Sequence, residues 1–318
     1  MIRLVYSAPP VPLALQGVQV LERGWLSANS VVLHGHEDHP GAALIDTGHA
    51  SHAEQTVALV KHSLRGEPLR CVVNTHLHSD HCGGNAGLQR AFSVPVFIPP
   101  GGFEAVRRWD EKALSYRATG QRCERFEVHG SLRAGEFFFW GQRRWDVLAA
   151  PGHDPDAIML FDATHGVLIS GDALWENGFG VVFPELLGAP AFDEVASVLG
   201  LIETLPVQWV IPGHGAPFTD VAQALVRARS RLARFRASTS DHAVHAAKVL
   251  LKFHVLEVQN QSIAALHLWF GQTPLLRQIW ESLGRPHASI HLWCDALVQS
   301  LVERDALWLR GGVVSNPV

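Results

Sequence analysis

The fold class that the sequence predicts is α+β: two packed sheets with helices on their outer faces, followed by a small, mainly helical unit. Three observations predict it. Short apolar runs alternate with helical spacings over the first two-thirds of the chain, and this pattern occurs twice, in two halves. Beyond residue 240 the spacing becomes almost wholly helical. A length of 318 residues suits one large domain plus an appendage, drawn here as 1–240 and 241–318. With 47% hydrophobic and 18% charged residues the chain can bury a core and is not disordered.

Val31-Val32-Leu33 and Ala42-Ala43-Leu44-Ile45 read as strands around the polar turn from Gly35 to Pro40. Ser51 to Arg65 carries Val57, Val60 and Leu64 on one helical side, and Gly66 stops it. Leu69 to Asn74 is the next strand, and it ends at a run of histidines. Asn85 to Phe92 reads as a short helix and Val94 to Ile98 as a strand. Gly101 to Phe126, polar and expected to be helical, is placed to overhang the strand ends.

In the second half, Phe137 to Trp140 and Trp145 to Leu148 form a hairpin turned at Gly141-Gln142. Ile158 to Phe161 pairs with Gly166 to Ser170, then come a helix from Phe192 to Leu205 and a strand from Trp209 to Ile211. A longer helix from Asp220 to Arg236 carries Arg227, Arg229, Arg231, Arg234 and Arg236. Cations suit a helix C-terminus, so a solvated face is expected there, with anion binding as the alternative. Residues 241–318 end in Leu307-Trp308-Leu309, a Gly311-Gly312 turn and Val313-Val314, an order similar to a winged helix.

The net charge of −4, from 26 Lys+Arg against 30 Asp+Glu, argues against nucleic acid or an anionic membrane as a partner. Charges in the last unit cancel, so packing or homodimer formation through it is expected rather than DNA binding. Cys71, Cys82, Cys123 and Cys294 form no C-x-x-C pair, which points to a reduced, cytoplasmic chain. Arg3 and Ala8-Pro9-Pro10 stand where a signal peptide needs an apolar run, and no stretch reaches the ~18 apolar residues of a membrane span. What is unusual is 19 histidines. Histidine is the common ligand of first-row metals and the usual acid–base group near neutrality.

The strongest motif is His76-Leu77-His78-Ser79-Asp80-His81, between a strand and Gly83-Gly84-Asn85. Alternate residues of an extended segment share a face, so His76 and His78 can grip one ion. After the turn, Asp80 and His81 face a second. Imidazole nitrogen with carboxylate oxygen suits zinc, and also iron or manganese, better than calcium. His34-Gly35-His36-Glu37-Asp38-His39 fits the same pattern but lies in a hairpin turn, where no catalytic role is expected.

Four further pieces follow strands: Ile45-Asp46-Thr47-Gly48, Pro151-Gly152-His153, Ser170-Gly171-Asp172 and Ile211-Pro212-Gly213-His214-Gly215. Together and in this order, from about Asn29 to Phe218, the motifs resemble those of the metallo-β-lactamase fold superfamily of metallohydrolases. The resemblance implies an αββα sandwich with its site at the sheet edges. It implies that His76, His78 and His153 hold one divalent ion and Asp80, His81 and His214 a second, with Asp172 bridging both. Asp46 would orient a ligand. The set is similar to that of hydroxyacylglutathione hydrolases, the glyoxalase II-type thioesterases. Asp154 stands where the family has a threonine, which puts the shape of that loop in question. Cys82 is expected to be a buried small hydrophobe.

The chemistry implied is hydrolysis of an ester, thioester or lactone-type carbonyl by a metal-bound hydroxide, since such a water has a pKa of about 7 rather than roughly 15.7. No G-x-S-x-G nucleophile elbow is present. No lysine follows closely behind Asp172, which disfavours β-lactam substrates. Trp175, Asn177, Phe179 and Phe183, with Tyr116 from the overhanging segment, are the expected pocket residues for an apolar small-molecule substrate. A phosphodiesterase or nuclease of the same fold, or a regulatory binding protein with residual activity, are the alternatives.

Overall fold

The computed structural model describes residues 11–38 and 40–317; Arg3, Ala8-Pro9-Pro10 and His39 lie outside the described residues. A first sheet holds β1 (Val18–Leu21), β2 (Ser30–Leu33), β3 (Ala42–Ile45), β4 (Leu69–Val73), β5 (Val96–Ile98) and β6 (Gly130–Ser131) in that spatial order. Pairing is antiparallel from β1 to β3 and parallel from β3 to β6. A second sheet runs in the order β11-β10-β9-β8-β7, from β7 (Phe137–Trp140), β8 (Arg143–Ala149), β9 (Ile158–Asp162), β10 (Val167–Gly171) and β11 (Trp209–Pro212). Only β10 and β11 are parallel in it.

Strand periodicity explains why the sheets stack. Val31, Leu33, Ala43, Ile45, Cys71 and Val73 point one way and meet Trp145, Val147, Leu160, Ile169 and Ile211 of the second sheet. The alternate residues Val32, Leu44 and Val72 point outward, against Val60 and Leu64 of α1 (Ala53–Leu64) and Leu88, which lies on a short helix described below. Both faces of these strands are therefore covered, which is why β2 and β3 read as unbroken apolar runs.

The remaining helices of the first half are α2 (Ser79–Cys82), α3 (Asn85–Phe92), α4 (Phe103–Arg108) and α5 (Tyr116–Thr119). Residues 101–126 depart from the helical expectation. Only α4 and α5 are α-helical there, because Trp109 ends the first and Gly120 the second with left-handed backbone angles (φ +55° and +70°), while Ser115 (φ +64°) breaks the chain between them. Behind the second sheet, α6 (Phe183–Leu186) leads into α7 (Ala191–Thr204) and α8 (Val221–Ala237), whose Val195, Leu199, Ala228 and Leu232 pack on Met159, Phe161 and Val210.

Ser238 separates α8 from α9 (Thr239–Val258) and caps the latter by accepting from the Asp241 amide. The last unit continues through β12 (Asn260–Ser262), α10 (Ile263–Gln272), α11 (Pro274–Ser282), α12 (Ile290–Val302) and the hairpin of β13 (Trp308–Arg310) with β14 (Val313–Ser315). Its core, with Leu251, Phe270, Leu276, Trp293 and Val298, also takes in Val181 and Phe183. The unit thus grips the segment that follows Asp172. No helix among the described residues is long and apolar enough to cross a membrane.

Candidate metal centre

Every motif sits on a loop that leaves one edge of a sheet. The chain leaves β3 at Asp46, β4 at Thr75, β8 just before His153, β10 at Asp172 and β11 at Gly213-His214. Backbone bonds staple these loops across the sandwich: Ile158 N–H donates to Thr75 O (2.9 Å), Gly213 N–H to Gly171 O (2.7 Å) and Asn29 N–H to Gly213 O (2.7 Å). The Asn29 side-chain amide adds bonds to Pro212 O and Gly215 O. Gly213 is required by crowding, since a Cβ there would collide with the Asp172 carboxylate and come within 2.8 Å of His81 Cε1.

His76, His78, Asp80, His81, His153, Asp172 and His214 are all brought together and each is less than one-tenth exposed. Three groups have ligand atoms within 4.8 Å of one another: His76, His78 and His153; His76, His81 and Asp172; and Asp80, His81 and His214. Two of the rings are aimed by their outer nitrogens. His153 Nδ1 donates to Val181 O, turning Nε2 inward to lie 2.7 Å from His78 Nδ1, which is 3.1 Å from His76 Nε2. His81 Nδ1 donates to Asp46 Oδ2 (2.7 Å), turning its Nε2 inward. Asp46 itself accepts from Thr75 N–H and Thr75 Oγ1–H (2.8 Å each) and has a left-handed backbone (φ +57°). It is a positioning residue.

The electrostatics ask for a cation. Burial, reinforced by the neighbouring imidazoles, holds His76 well below the usual histidine range. Burial lowers His78 to about 4, and burial with the His78 ring lowers His153 to about 4. Burial opposes the charge on Asp80, yet His81 and His214 bring it down to about 2; for the same reasons Asp172 lies well below its ordinary value. His81, despite complete burial, is raised well above the usual range by Asp172, Asp46 and Asp80. Its Nε2 is buried without a hydrogen-bond partner, and His214 turns its Nε2 toward Asp80 Oδ2 (3.0 Å). Converging imidazole lone pairs, two buried carboxylates and the orphaned His81 nitrogen form a donor set that fits divalent metal.

Comparison with known proteins agrees with this geometry. The description "Metallo-beta-lactamase superfamily" fits residues 23–214, more than half of the sequence. The chain belongs to the metallo-β-lactamase superfamily. Among its relatives is a hydroxyacylglutathione hydrolase of Thermosynechococcus vestitus, 31% identical over 172 residues, covering 54% of this chain and 57% of that protein. Another is the acyl-coenzyme A thioesterase MBLAC2 of Gallus gallus, 31% identical over 159 residues, 45% of this chain and 55% of that protein. The chain therefore spans a little over half the length of these curated relatives. A solved structure of TTHA1623 in a di-iron-bound form superposes with a TM-score of 0.51 at 27% identity, over 65% of this chain and 96% of that one.

What lies above the donors decides what reaches them. A cavity of about 550 Å³ opens over His78, Asp80, His153, Asp172 and His214, between the sandwich and the last unit. Trp175, Asn177, Phe179 and Phe183 line it. Phe183 packs on the rings of His78 and His153, and Trp175 Nε1 donates to Asp172 Oδ1 (3.1 Å). Tyr116 is a correction to the sequence reading. It is 1% exposed and donates to Leu77 O behind the motif loop, beside the Cys82 thiol, so it supports that loop and does not line the cavity. Of residues 101–126, Gln121 is the one that reaches the cavity; it accepts from Ser79 Oγ.

Asp154 turns its own loop by accepting from the Asp156 amide and stands 3.9 Å from His78 Nε2. The second histidine motif is elsewhere: His34 Nδ1 is 2.7 Å from Glu67 Oε2 and His36 meets Gln142, far from the metal donors in the fold. Sequence reasoning missed Trp25, which stacks on His214 (5.4 Å, 10°), and the wall supplied by α9. Nothing local marks Trp25. The α9 wall was legible as a helical stripe, but not its destination.

Proposed function

We propose that the protein is a metal-dependent thioesterase, with esters and lactones as neighbouring substrates. The observation that carries the reading is that all seven donor side chains converge and five of them, His78, Asp80, His153, Asp172 and His214, lie at the floor of a cavity whose walls are largely apolar. The names of two relatives, a hydroxyacylglutathione hydrolase and an acyl-coenzyme A thioesterase, support the thioester in particular.

His76, His78 and His153 would hold one divalent ion and Asp80, His81 and His214 the other, with Asp172 serving both. Zinc is the first choice, iron or manganese the alternatives. Two such ions, when bound, lower the pKa of water from roughly 15.7 toward 7 and polarise a carbonyl. The protein's part is to aim and to shield. Asp46 keeps the His81 proton on Nδ1, and Val181 O keeps the His153 proton on Nδ1, so that both Nε2 atoms stay free to bind. Trp175 orients one oxygen of Asp172. Trp25, Trp175 and Phe183 pack against the donor rings, exclude bulk water and offer an apolar surface to an acyl chain.

The test is a hydrolysis panel of thioesters, lactones, β-lactams and phosphodiesters, run after separate reconstitution with zinc, iron or manganese. Thioesters are expected to turn over fastest, chelation to abolish the activity, and Asp172→Asn to cost at least about a hundredfold in kcat. Turnover confined to phosphodiesters, or full activity in Asp172→Asn, refutes the proposal.

A further inference from the structure

The arginine-rich helix and the last unit meet at the same cavity. Arg231 of α8, His245, Lys248 and Lys252 of α9, and Arg304 just after α12 all line it. On α9 His245, Lys248, Val249, Lys252, Phe253 and Leu256 recur at helical spacing, with Leu250 beside them, so one stripe of the helix faces the cavity. The stripe mixes cations with apolar side chains, as long lysine stems allow.

The other arginines of α8 do not line it. Arg227 donates to Glu176 O, Arg229 pairs with Glu203, Arg236 pairs with Asp193, and Arg234 lies over the Phe235 ring. Arg231 instead lines the cavity and donates to Phe179 O (3.3 Å). Lys248 Nζ uses one bond on Ser300 Oγ and Lys252 Nζ two, on Ala306 O and Asn316 Oδ1, so each keeps N–H groups to give. Outside the metal centre, Glu176 is the one carboxylate among the described lining residues, and Glu303 faces Lys248 from α12's end. Four side chains that are cations at neutral pH thus share one cavity wall with little to neutralise them. Holding like charges together destabilises the fold unless a ligand compensates.

We propose, resting on the thioesterase reading above, that this wall is a polyanion subsite holding the phosphate groups on the thiol portion of the substrate. The assignment of ends follows from position. Aromatic side chains touch the donor rings, so the groups nearest the reacting carbonyl are apolar and belong to the acyl chain. The cations stand on the helices of the last unit and its neighbour α8, where the departing thiol extends. Four cations exceed what a single carboxylate needs and match several phosphate charges.

The experiment compares octanoyl-coenzyme A with octanoyl-pantetheine, which shares the thioester and lacks the phosphates. The readout is the ratio of their kcat/KM values in the parent protein and in Lys248→Gln, Arg304→Gln and the double variant. A ratio of about ten or more is expected in the parent at low salt, falling with added KCl and toward one in the double variant. Arg304 is exposed, so its single variant tests the idea even if Lys248→Gln fails to fold. Binding of adenosine 3′,5′-bisphosphate, followed by calorimetry on the metal-depleted protein, is expected in the parent and at least about tenfold weaker in Arg304→Gln. Both thioesters hydrolysed equally, with no bisphosphate binding, overturns the subsite and leaves the thioesterase standing. Variant-sensitive bisphosphate binding without any thioester hydrolysis does the reverse. A parent protein that prefers octanoyl-glutathione, whose anions are carboxylates, overturns the subsite as well.

Discussion

Gly180→Ala isolates the aiming of a single metal donor. Gly180 follows the Asp172 segment, and its N–H donates to Asp172 O (2.9 Å). Its φ is not in the left-handed region, so the backbone accepts alanine without strain. Space is what is missing. A Cβ would lie 2.5 Å from His153 Nδ1 and 2.8 Å from Cε1 and Cγ of the same ring. Ordinary contact is about 3.5 Å, so the imidazole must retreat by roughly 1 Å. It cannot retreat freely, because Nδ1 is tied to Val181 O and Nε2 already lies 2.7 Å from His78 Nδ1. A shift of about 1 Å at a reacting centre costs on the order of a hundredfold in rate, and overpacking a core costs about 1–3 kcal/mol. Metal content by mass spectrometry is expected to fall, thioester kcat to drop about a hundredfold, and Tm to fall by a few degrees (roughly 2–4 °C per kcal/mol). Gly200→Ala is the control: α7 leaves open space at its Cβ, so it should stabilise by about 0.5–1 kcal/mol with metal content and kcat untouched. Parent-like metal content and kcat in Gly180→Ala would show that His153 is not a donor whose position matters.

The other predictions address support of the site and of the fold. Asp46→Asn keeps a residue type that tolerates φ +57°, but one amide oxygen cannot accept all three bonds from Thr75 and His81, and the His81 proton is driven to Nε2. Metal affinity by chelator competition should weaken about 10–100-fold, and unchanged affinity refutes the role. Arg143→Ala leaves the fully buried Asp162 carboxylate with His165 as its one side-chain partner and frees the carbonyls of Ala14 and Gln16. The loss, read by urea unfolding, should be about 3 kcal/mol, with metal binding retained. Burial lowers His242 to about 4 in the fold, where Nε2 accepts from Val182 N–H (3.3 Å). The unfolded chain takes up the proton first, so stability is full above about pH 6.5 and declines toward pH 4, by at most about 3 kcal/mol for this group. His242→Gln should flatten that decline, and an unaltered slope would show that the histidine stays neutral in both states.

The cluster of candidate donors was legible because each belongs to a short motif anchored at a strand end, and strand ends are readable from alternating apolar runs. His76, His153, Asp172 and His214 lie far apart in the chain, yet each directly follows a segment whose burial fixes its exit point, so order and context stood in for distance. Context also separated the two H-x-H-x-D-H runs: His34 lies in a hairpin turn, where its ring is spent on Glu67. Tyr116 failed for the complementary reason. Its segment carries no periodic pattern, because left-handed residues interrupt it at Trp109, Ser115 and Gly120, and nothing in a patternless stretch says which way an aromatic ring turns. The cationic wall failed differently. The α8 arginines were read as one solvated face, which holds for Arg229 and Arg236, whereas Arg231, two residues and about 200° round the helix from Arg229, is turned to the cavity. Which lysines of α9 share that cavity depends on how the last unit docks on the sandwich, and the docking is set by Val181 and Phe183 entering its core. Those two side chains follow directly from the Asp172 loop, so the contact that orients the appended unit also shapes the candidate site: Val181 supplies the carbonyl that aims His153, and Phe183 covers that ring.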